Sequence, residues 1–334
     1  MLSAEQLAQR RAGISATDVS SIVGLNPWSS PIDVYLDKTG RKPPFEGNSR
    51  TKWGNLLEPQ IRDDYAERRG LRVEVPGTLD HPEVTWAKAT PDGICYWPGG
   101  AVPINGLEIK SHSSRVAHMY GEPGTDAVPA HILIQCQWNL FVSGLDIWDL
   151  VAFIDNQPLD YVIRRDDELI GMLRDRCERF LVDHIRADVP PEPDGSASYD
   201  KYLLSRFQHR DEEFRKLEAG DKLIDAVHAL RIARGHADHY EQTVDTLTQQ
   251  LKLACGEFAG LEYLDEHGKR ERITYRASKD GTRTDWEGAF REYAARMTND
   301  AYAQEAIKNH SRTTPGSRRF VVPRAWSKTT SKGE

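Results

Sequence analysis

One short stretch constrains the fold of this chain more than any other. Thr90-Pro91-Asp92-Gly93-Ile94 is followed by a loop and then by Gly106-Leu107-Glu108-Ile109-Lys110. Two apolar runs flank the turn Trp97-Pro98-Gly99-Gly100, the pattern of a strand, a loop and a second strand. Strand side chains alternate between faces, so Glu108 and Lys110 share one face and Leu107 and Ile109 take the other. Asp92 ends the preceding segment in a Pro-Asp-Gly turn. Pairing of the two strands would let Asp92 and Glu108 converge with Lys110 beside them. Two carboxylates and an ammonium suit hydrolysis of a phosphodiester: the carboxylates hold a hard divalent cation, and the lysine positions or deprotonates a water. An acid, any residue and a lysine is also plain polar alternation on an exposed strand. Here Glu108-Ile109-Lys110 is the only such tripeptide in the chain.

With 334 residues there is room for two domains, or for one large domain with appendages. The hydrophobic fraction of 39% and charged fraction of 28% are those of a globular protein. No apolar run approaches the ~20 residues of a membrane span, and Met1 to Ala12 is too polar for a signal peptide, so a cytoplasmic protein without membrane partners is expected. Cys95, Cys136, Cys177 and Cys255 are scattered singly. They read as buried thiols and speak against disulfides and against a four-cysteine iron–sulfur cluster. The net charge of −7 does not advertise nucleic-acid binding, but it is uneven. Ala306 to Glu334 holds seven lysines and arginines against Glu334 alone, a net of +6 that leaves −13 for the rest. Such a tail can contact phosphates or be an ordinary solvated end.

Along the chain, Ser3 to Arg11 reads as a short helix. Ser15 or Thr17 could cap a second one built on Val19, Ile22 and Val23, with Arg11 just ahead. A helix start with hydroxyls and an arginine can hold a phosphate, or can be merely capped. A helix from Ile32 to Thr39 closes at Gly40. A longer one, Ser49 to Arg69, carries the stripe Trp53, Leu56, Leu57, Ile61 and Tyr65, read as its core face. Glu58 lies beside that stripe and before Pro59, which bends a helix or marks its first turn. Leu71–Val75 and Val84–Ala89 read as strands, Ser111–Pro129 as a loop, and Pro129–Gly144 as a helix. In that helix Gln135 and Gln137 interrupt an apolar neighbourhood and call for hydrogen-bond partners or a ligand. His112, His118 and His131 lack metal spacing. Strands at 146–154 and 159–163 and a helix at 166–189 complete an α/β domain over 1–190. A Pro-rich linker is expected at 191–198. Two long helices breaking near Gly235 are expected within 199–259, as a hairpin or arm. A small α+β tail with a basic end follows over 260–334.

These motifs line up with a known family. An arginine ahead of Gly13-Ile14-Ser15-Ala16, then Trp53-Gly54-Asn55-Leu56-Leu57-Glu58-Pro59, Pro91-Asp92-Gly93, Leu107-Glu108-Ile109-Lys110 and Gln135-Cys136-Gln137-Trp138 occur in order. The region from Arg10 to Ile163 resembles the YqaJ-like viral recombinase family, the phage lambda exonuclease branch of the PD-(D/E)XK nuclease superfamily. The resemblance implies a restriction-endonuclease-like α/β core, a mixed central sheet flanked by helices, here with a helical and small α+β C-terminal extension. It implies that Asp92, Glu108 and the backbone carbonyl of Ile109 bind Mg²⁺, for which Mn²⁺ can substitute, as one ion or as two about 4 Å apart. Lys110 would activate or orient the water, Glu58 would join through water, and Gln135 would complete the cluster, with Gln137 a lesser candidate. Arg11 and Thr17 would bind a DNA 5′-phosphate, with Ser15 a possible neighbour. The auxiliary aspartate that lambda exonuclease has ahead of Pro-Asp-Gly is missing, its place falling near His81-Pro82.

The implied activity is 5′-to-3′ exonuclease digestion of double-stranded DNA ends. It releases mononucleotides and leaves 3′ single strands for a single-strand annealing protein, in a homo-oligomer. An endonuclease of the same fold and a non-catalytic DNA-end-binding protein are the alternatives. A circular duplex separates the first from the second, and Lys110→Ala separates both from the third.

Overall fold

The computed structural model describes residues 12–42, 47–207, 215–218, 220–277, 281–295, 300–314 and 318–321. The chain divides into two units, Met1–Glu212 and Glu213–Glu334. The expected N-terminal helix at Ser3 to Arg11 lies outside the described residues.

In the first unit, β1 (Ile14–Ser15) runs directly into α1 (Ala16–Ile22). Asp18 fixes that junction, its Oδ2 accepting from the Ser15 N–H at 2.8 Å and from Ser15 Oγ at 2.6 Å. Helix α2 (Pro31–Lys38) begins at a proline, whose missing N–H costs nothing in a first turn. Lys38 at its far end reaches back to Asp18 at 2.7 Å, both side chains largely out of water. Helix α3 (Ser49–Arg69) is started by Asn48, which accepts from the Thr51 N–H at 3.0 Å, and is ended by Gly70 at φ 63°.

The strands β2 (Arg72–Glu74), β3 (Leu79–Asp80), β4 (Ala87–Ala89), β5 (Gly93–Tyr96) and β6 (Pro103–His112) follow. Helix α4 (Ala130–Ser143), β7 (Ile147–Ile154), β8 (Gln157–Arg164), α5 (Asp167–Phe180) and α6 (Ala197–Arg206) complete the unit. The main sheet has the order β2-β5-β6-β7-β8, with β6 and β7 parallel and the other pairs antiparallel. A smaller sheet has the order β1-β4-β3. This is the mixed α/β core that the family resemblance implies. β3 was not foreseen, and the second of the expected early strands shortens to β4.

Alternation along β6 sorts its side chains. Leu107 and Ile109 pack with Ile61 and Tyr65 of α3, Cys95 and Val151 on one face. On the other face α1, α2, α4 and α5 enclose a larger core around Trp138, Trp148 and Tyr161. Two glycines are fixed by close approach. A Cβ on Gly106 would lie 2.2 Å from the Trp148 ring, and one on Gly93 2.5 Å from Val73. Both flank the motif, so the strand pair carrying it tolerates no side chain there.

Strand β8 is an edge, and the loop ahead of α4 runs along it. The Gly124 N–H donates to the Asp160 carbonyl at 2.8 Å, and the Val162 N–H donates to the Thr125 carbonyl at 3.1 Å.

Three expectations differ from the structure. Trp53 and Leu56 are 61% and 51% exposed, and only Ile61 and Tyr65 of their stripe are buried. Helical period alone therefore misassigned the first turns of α3. The Pro-rich stretch at 191–198 is not where the chain divides. Tyr199 Oη donates to the Pro191 carbonyl at 3.0 Å, Ser196 Oγ donates to Ser30 Oγ at 3.1 Å, and Arg41 holds Asp188. Finally, the break near Gly235 is absent: α7 (Lys222–Cys255) is one helix. A single glycine costs a helix about 1 kcal/mol, too little to interrupt so long a run of good formers.

In the second unit α7 is followed by β9 (Gly260–Leu264), β10 (Arg270–Ala277), β11 (Gly281–Thr284), α8 (Trp286–Ala295), α9 (Asp300–His310), β12 (Ser311–Thr314) and β13 (Arg318–Val321). β9 and β10 form a hairpin, and β13 adds to its other side in the order β13-β10-β9, all antiparallel. β11 pairs with β12. No described helix is long and apolar enough to cross a membrane.

Candidate active site

A cleft of about 380 Å³ opens in the first unit where β6, α1, α3 and α4 meet. Its lining includes Ser15 and Thr17 from the start of α1, Asn55 and Glu58 from α3, and Asp92 from the turn before β5. Glu108 and Lys110 from β6 and Gln135 and Asn139 from α4 complete it. Five segments far apart in sequence thus bring seven of the ten residues singled out above to one place, and an eighth, Ile109, is hydrogen-bonded to Asp92. Of the other two, Arg11 lies outside the described residues, and Gln137 is elsewhere. Gln137 Nε2 donates to the Arg164 carbonyl at 2.7 Å and its Oε1 accepts from the Asp166 N–H at 3.0 Å. It joins the end of β8 to the start of α5 and does not line the cleft.

Asp92 projects across the end of β5 towards β6, where its Oδ2 accepts from the Ile109 N–H at 2.7 Å. Within a strand the N–H and C=O of one residue leave by the same edge, so the Ile109 carbonyl is directed to the side on which Asp92 lies. Glu108 is buried. Its Oε1 accepts from Lys110 Nζ at 2.5 Å and its Oε2 from Asn139 Nδ2 at 3.2 Å. Burial and then the neighbouring charge of Glu108 push the Asp92 carboxyl well above the usual carboxylate range. Burial alone would lower Lys110, but Glu108 and Asp92 outweigh it and hold the ammonium above its ordinary value.

Helix α3 is tied to the motif by a residue that sequence reasoning missed. Arg62 Nε donates to the Asp92 carbonyl at 2.7 Å, and its guanidinium reaches Glu58 at 2.5 Å. The signal available was spacing, since Arg62 lies one turn beyond Glu58. Pro59 sits inside α3 and cannot donate to the carbonyl of Asn55, the turn of helix that faces the cleft. Asn139 was also missed. It follows Gln135 by four residues and so shares its face. Its Oδ1 is buried with no partner among the described residues.

A divalent cation fits this donor set. Two carboxylates of one sign share a cleft with Lys110 beside them, and burial together with the charge of Glu108 raises Asp92. Asp92, Glu108 and the Ile109 carbonyl offer hard oxygen donors. Among the described residues no three Asp, Glu, His or Cys side chains gather as ligands, so the carbonyl and water would complete any coordination shell.

The Asp-turn and the Glu-x-Lys strand of an α/β core thus meet in one cleft lined by helices. The chain is similar to the YqaJ-like viral recombinase domain, whose family model matches residues 5–146. It is 33% identical over 208 residues to the uncharacterized protein YqaJ of Bacillus subtilis (strain 168), which covers 61% of this chain and 63% of that protein. The chain therefore spans less than two thirds of that relative's length. Among solved structures it is similar to an alkaline exonuclease, LHK-Exo, from Laribacter hongkongensis. That match has a TM-score of 0.46 and 22% identity, and covers 61% of this chain and all of the other. It is also similar to a phage-related exonuclease from Haemophilus somnus 129PT, with a TM-score of 0.37, 19% identity and coverage of 58% and 96%.

Proposed function

We propose that this chain is a metal-dependent deoxyribonuclease that degrades double-stranded DNA from its ends in the 5′-to-3′ direction. The observation that carries the reading is the meeting of Asp92, Glu108 and Lys110 in one cleft, with Glu58 and Gln135 entering from two different helices. The family's viral recombinase description and the exonuclease names of the similar structures agree with it.

In this reading Mg²⁺ bound by Asp92, Glu108 and the Ile109 carbonyl supplies Lewis-acid polarisation of the scissile phosphate. Lys110, held protonated beside Glu108, directs a lone pair of the attacking water towards phosphorus and offsets charge that develops on the phosphoryl oxygens. Glu58, steadied by Arg62, and Gln135 accept hydrogen bonds from, or donate them to, water and phosphate at the opposite wall. Thr17, with Ser15 beside it and Arg11 ahead, binds the terminal 5′-phosphate, so each cut presents a new one. The 3′ oxygen leaves and a 5′-mononucleotide is released, which exposes a 3′ single strand for an annealing protein.

Linear duplex DNA with a 5′-phosphate, labelled at either end, is incubated with the protein and Mg²⁺ beside a closed circle. The 5′ label is expected to leave as mononucleotide with the circle intact. Nicked or linearised circles would instead make the protein an endonuclease. Cleavage by Lys110→Ala equal to that of the unaltered chain would remove the cleft from the reaction.

A further inference from the structure

Arg62 makes two contacts, and together they join donor groups of the cleft into one chain. Its Nη2 donates to Glu58 Oε1 at 2.5 Å, and its Nε donates to the Asp92 carbonyl at 2.7 Å. Asp92 in turn accepts from the Ile109 N–H through Oδ2 at 2.7 Å. Three hydrogen bonds in succession thus run from α3 through the Asp-turn to β6. They pass through every residue assigned above to the cation except Glu108. Arg62 is the one member of the chain that supplies no oxygen itself. Its side chain is 14% exposed, so both bonds form largely out of water, where they are stronger.

Two features separate this arrangement from an ordinary charged pair on a helix. Glu58 and Arg62 lie one turn apart, and an exposed pair at that spacing contributes little. Here the guanidinium also leaves its own helix and reaches a backbone group 30 positions away. The helix is also weakened at this turn. Pro59 has no N–H for the Asn55 carbonyl, so the turn that carries Glu58 lacks one rung of its ladder. A tie to the Asp-turn supplies restraint that the helix has lost there. A guanidinium suits the task, because Nε and Nη2 lie on one edge of a rigid plane and hold two acceptors at a fixed separation. An ammonium cannot do this.

Resting on the nuclease reading above, we infer that Arg62 is a positioning residue. It sets Glu58 and the Asp92 turn at the separation at which they act on one divalent cation and the scissile phosphate. Without it each donor remains in the chain, but the α3 wall of the cleft is free to shift relative to β6. Cation affinity and turnover then fall together, while capture of DNA does not.

The test compares Arg62→Ala and Arg62→Lys with the unaltered full chain. Each is titrated with Mn²⁺ in the absence of DNA, followed by the electron spin resonance of the free ion, and is then assayed on 5′-phosphorylated linear duplex at saturating Mg²⁺. Arg62→Ala is expected to raise the Mn²⁺ dissociation constant and to lower kcat, each about 10–100-fold, with KM for the duplex changed by less than about twofold. Arg62→Lys keeps the charge but not the fork, so it should be impaired similarly. Combined with Glu58→Ala, Arg62→Ala should cost less than the sum of the two single effects. Mn²⁺ affinity and kcat of Arg62→Ala both within about twofold of the unaltered chain would overturn the proposal. So would full activity in Arg62→Lys, or strict additivity with Glu58→Ala. Circular dichroism identifies a variant that has lost its fold, and Arg62→Lys then carries the test. Unaltered cleavage by Lys110→Ala would sink the nuclease reading itself, whereas Mn²⁺ affinity would still report on Arg62.

Discussion

Glu108 has both oxygens engaged inside the protein, one by Lys110 and one by Asn139. Asp92 accepts a single backbone hydrogen bond and faces a like charge. The carboxylate with fewer partners therefore bears the electrostatic tension of the cleft. Asp92→Asn keeps an oxygen for the Ile109 N–H and removes the repulsion. It is expected to abolish cleavage while raising the thermal midpoint of the metal-free protein by about 2–4 °C. A lower midpoint in scanning calorimetry would mean that the charge is already compensated. Asn139 acts through Glu108. Asn139→Ala should reduce the cleavage rate about 10–100-fold, as removal of an orienting partner does, and Asn139→Gln should fail to restore it because the reach changes. Wild-type rates for the alanine variant would make Asn139 a bystander. Neither effect was readable from spacing alone. The Glu-x-Lys alternation announces itself in any strand, whereas Asn139 sits in a helix where almost every residue is buried and only its register with Gln135 marks it.

At the level of elements, the start of α1 is held by Asp18. Burial alone would raise its carboxyl, but the Lys38 charge and the Ser15 hydrogen bonds outweigh it, and the folded-state value lies below the ordinary one. A depressed value contributes stability that is complete above the unfolded value, about pH 4, and is lost as pH falls through the folded one. Asp18→Asn leaves Lys38 buried without its partner and should cost about 3 kcal/mol near neutral pH. The difference from wild type should shrink as the pH is lowered below about 4, measured by urea unfolding across pH. A pH-independent deficit would trace the loss to packing. Helices and strands were largely legible because their apolar periods are regular, and Ile61, Tyr65, Leu107 and Ile109 were assigned to faces correctly. What periodicity does not encode is where the apolar stripe of a helix stays exposed. Trp53 and Leu56 continue the stripe of Ile61 yet are exposed among the described residues, and Gly235 is a breaker only where its neighbours do not outvote it.

Across the whole molecule, the cleft is assembled from elements with cores and caps of their own, so its shape does not wait on a cation. Chelation with EDTA should stop cleavage while leaving circular dichroism and the unfolding midpoint within error. A collapse of structure on chelation would point to a metal with a folding role elsewhere. Domain limits were the least legible level. A Pro-rich stretch looks like a linker until Tyr199 and Ser196 are seen bonded back across it, a fact carried by residues up to 166 positions apart.

The loop at 121–127 has a bearing on handling that the cleft does not. By occupying the outer hydrogen-bonding rim of β8 it denies neighbouring molecules a template for strand addition, the commonest route from a folded sheet to fibrous aggregate. Trimming that loop should leave fresh preparations active yet shorten their shelf life. Thioflavin fluorescence should rise on standing, well before any loss of secondary structure is measurable.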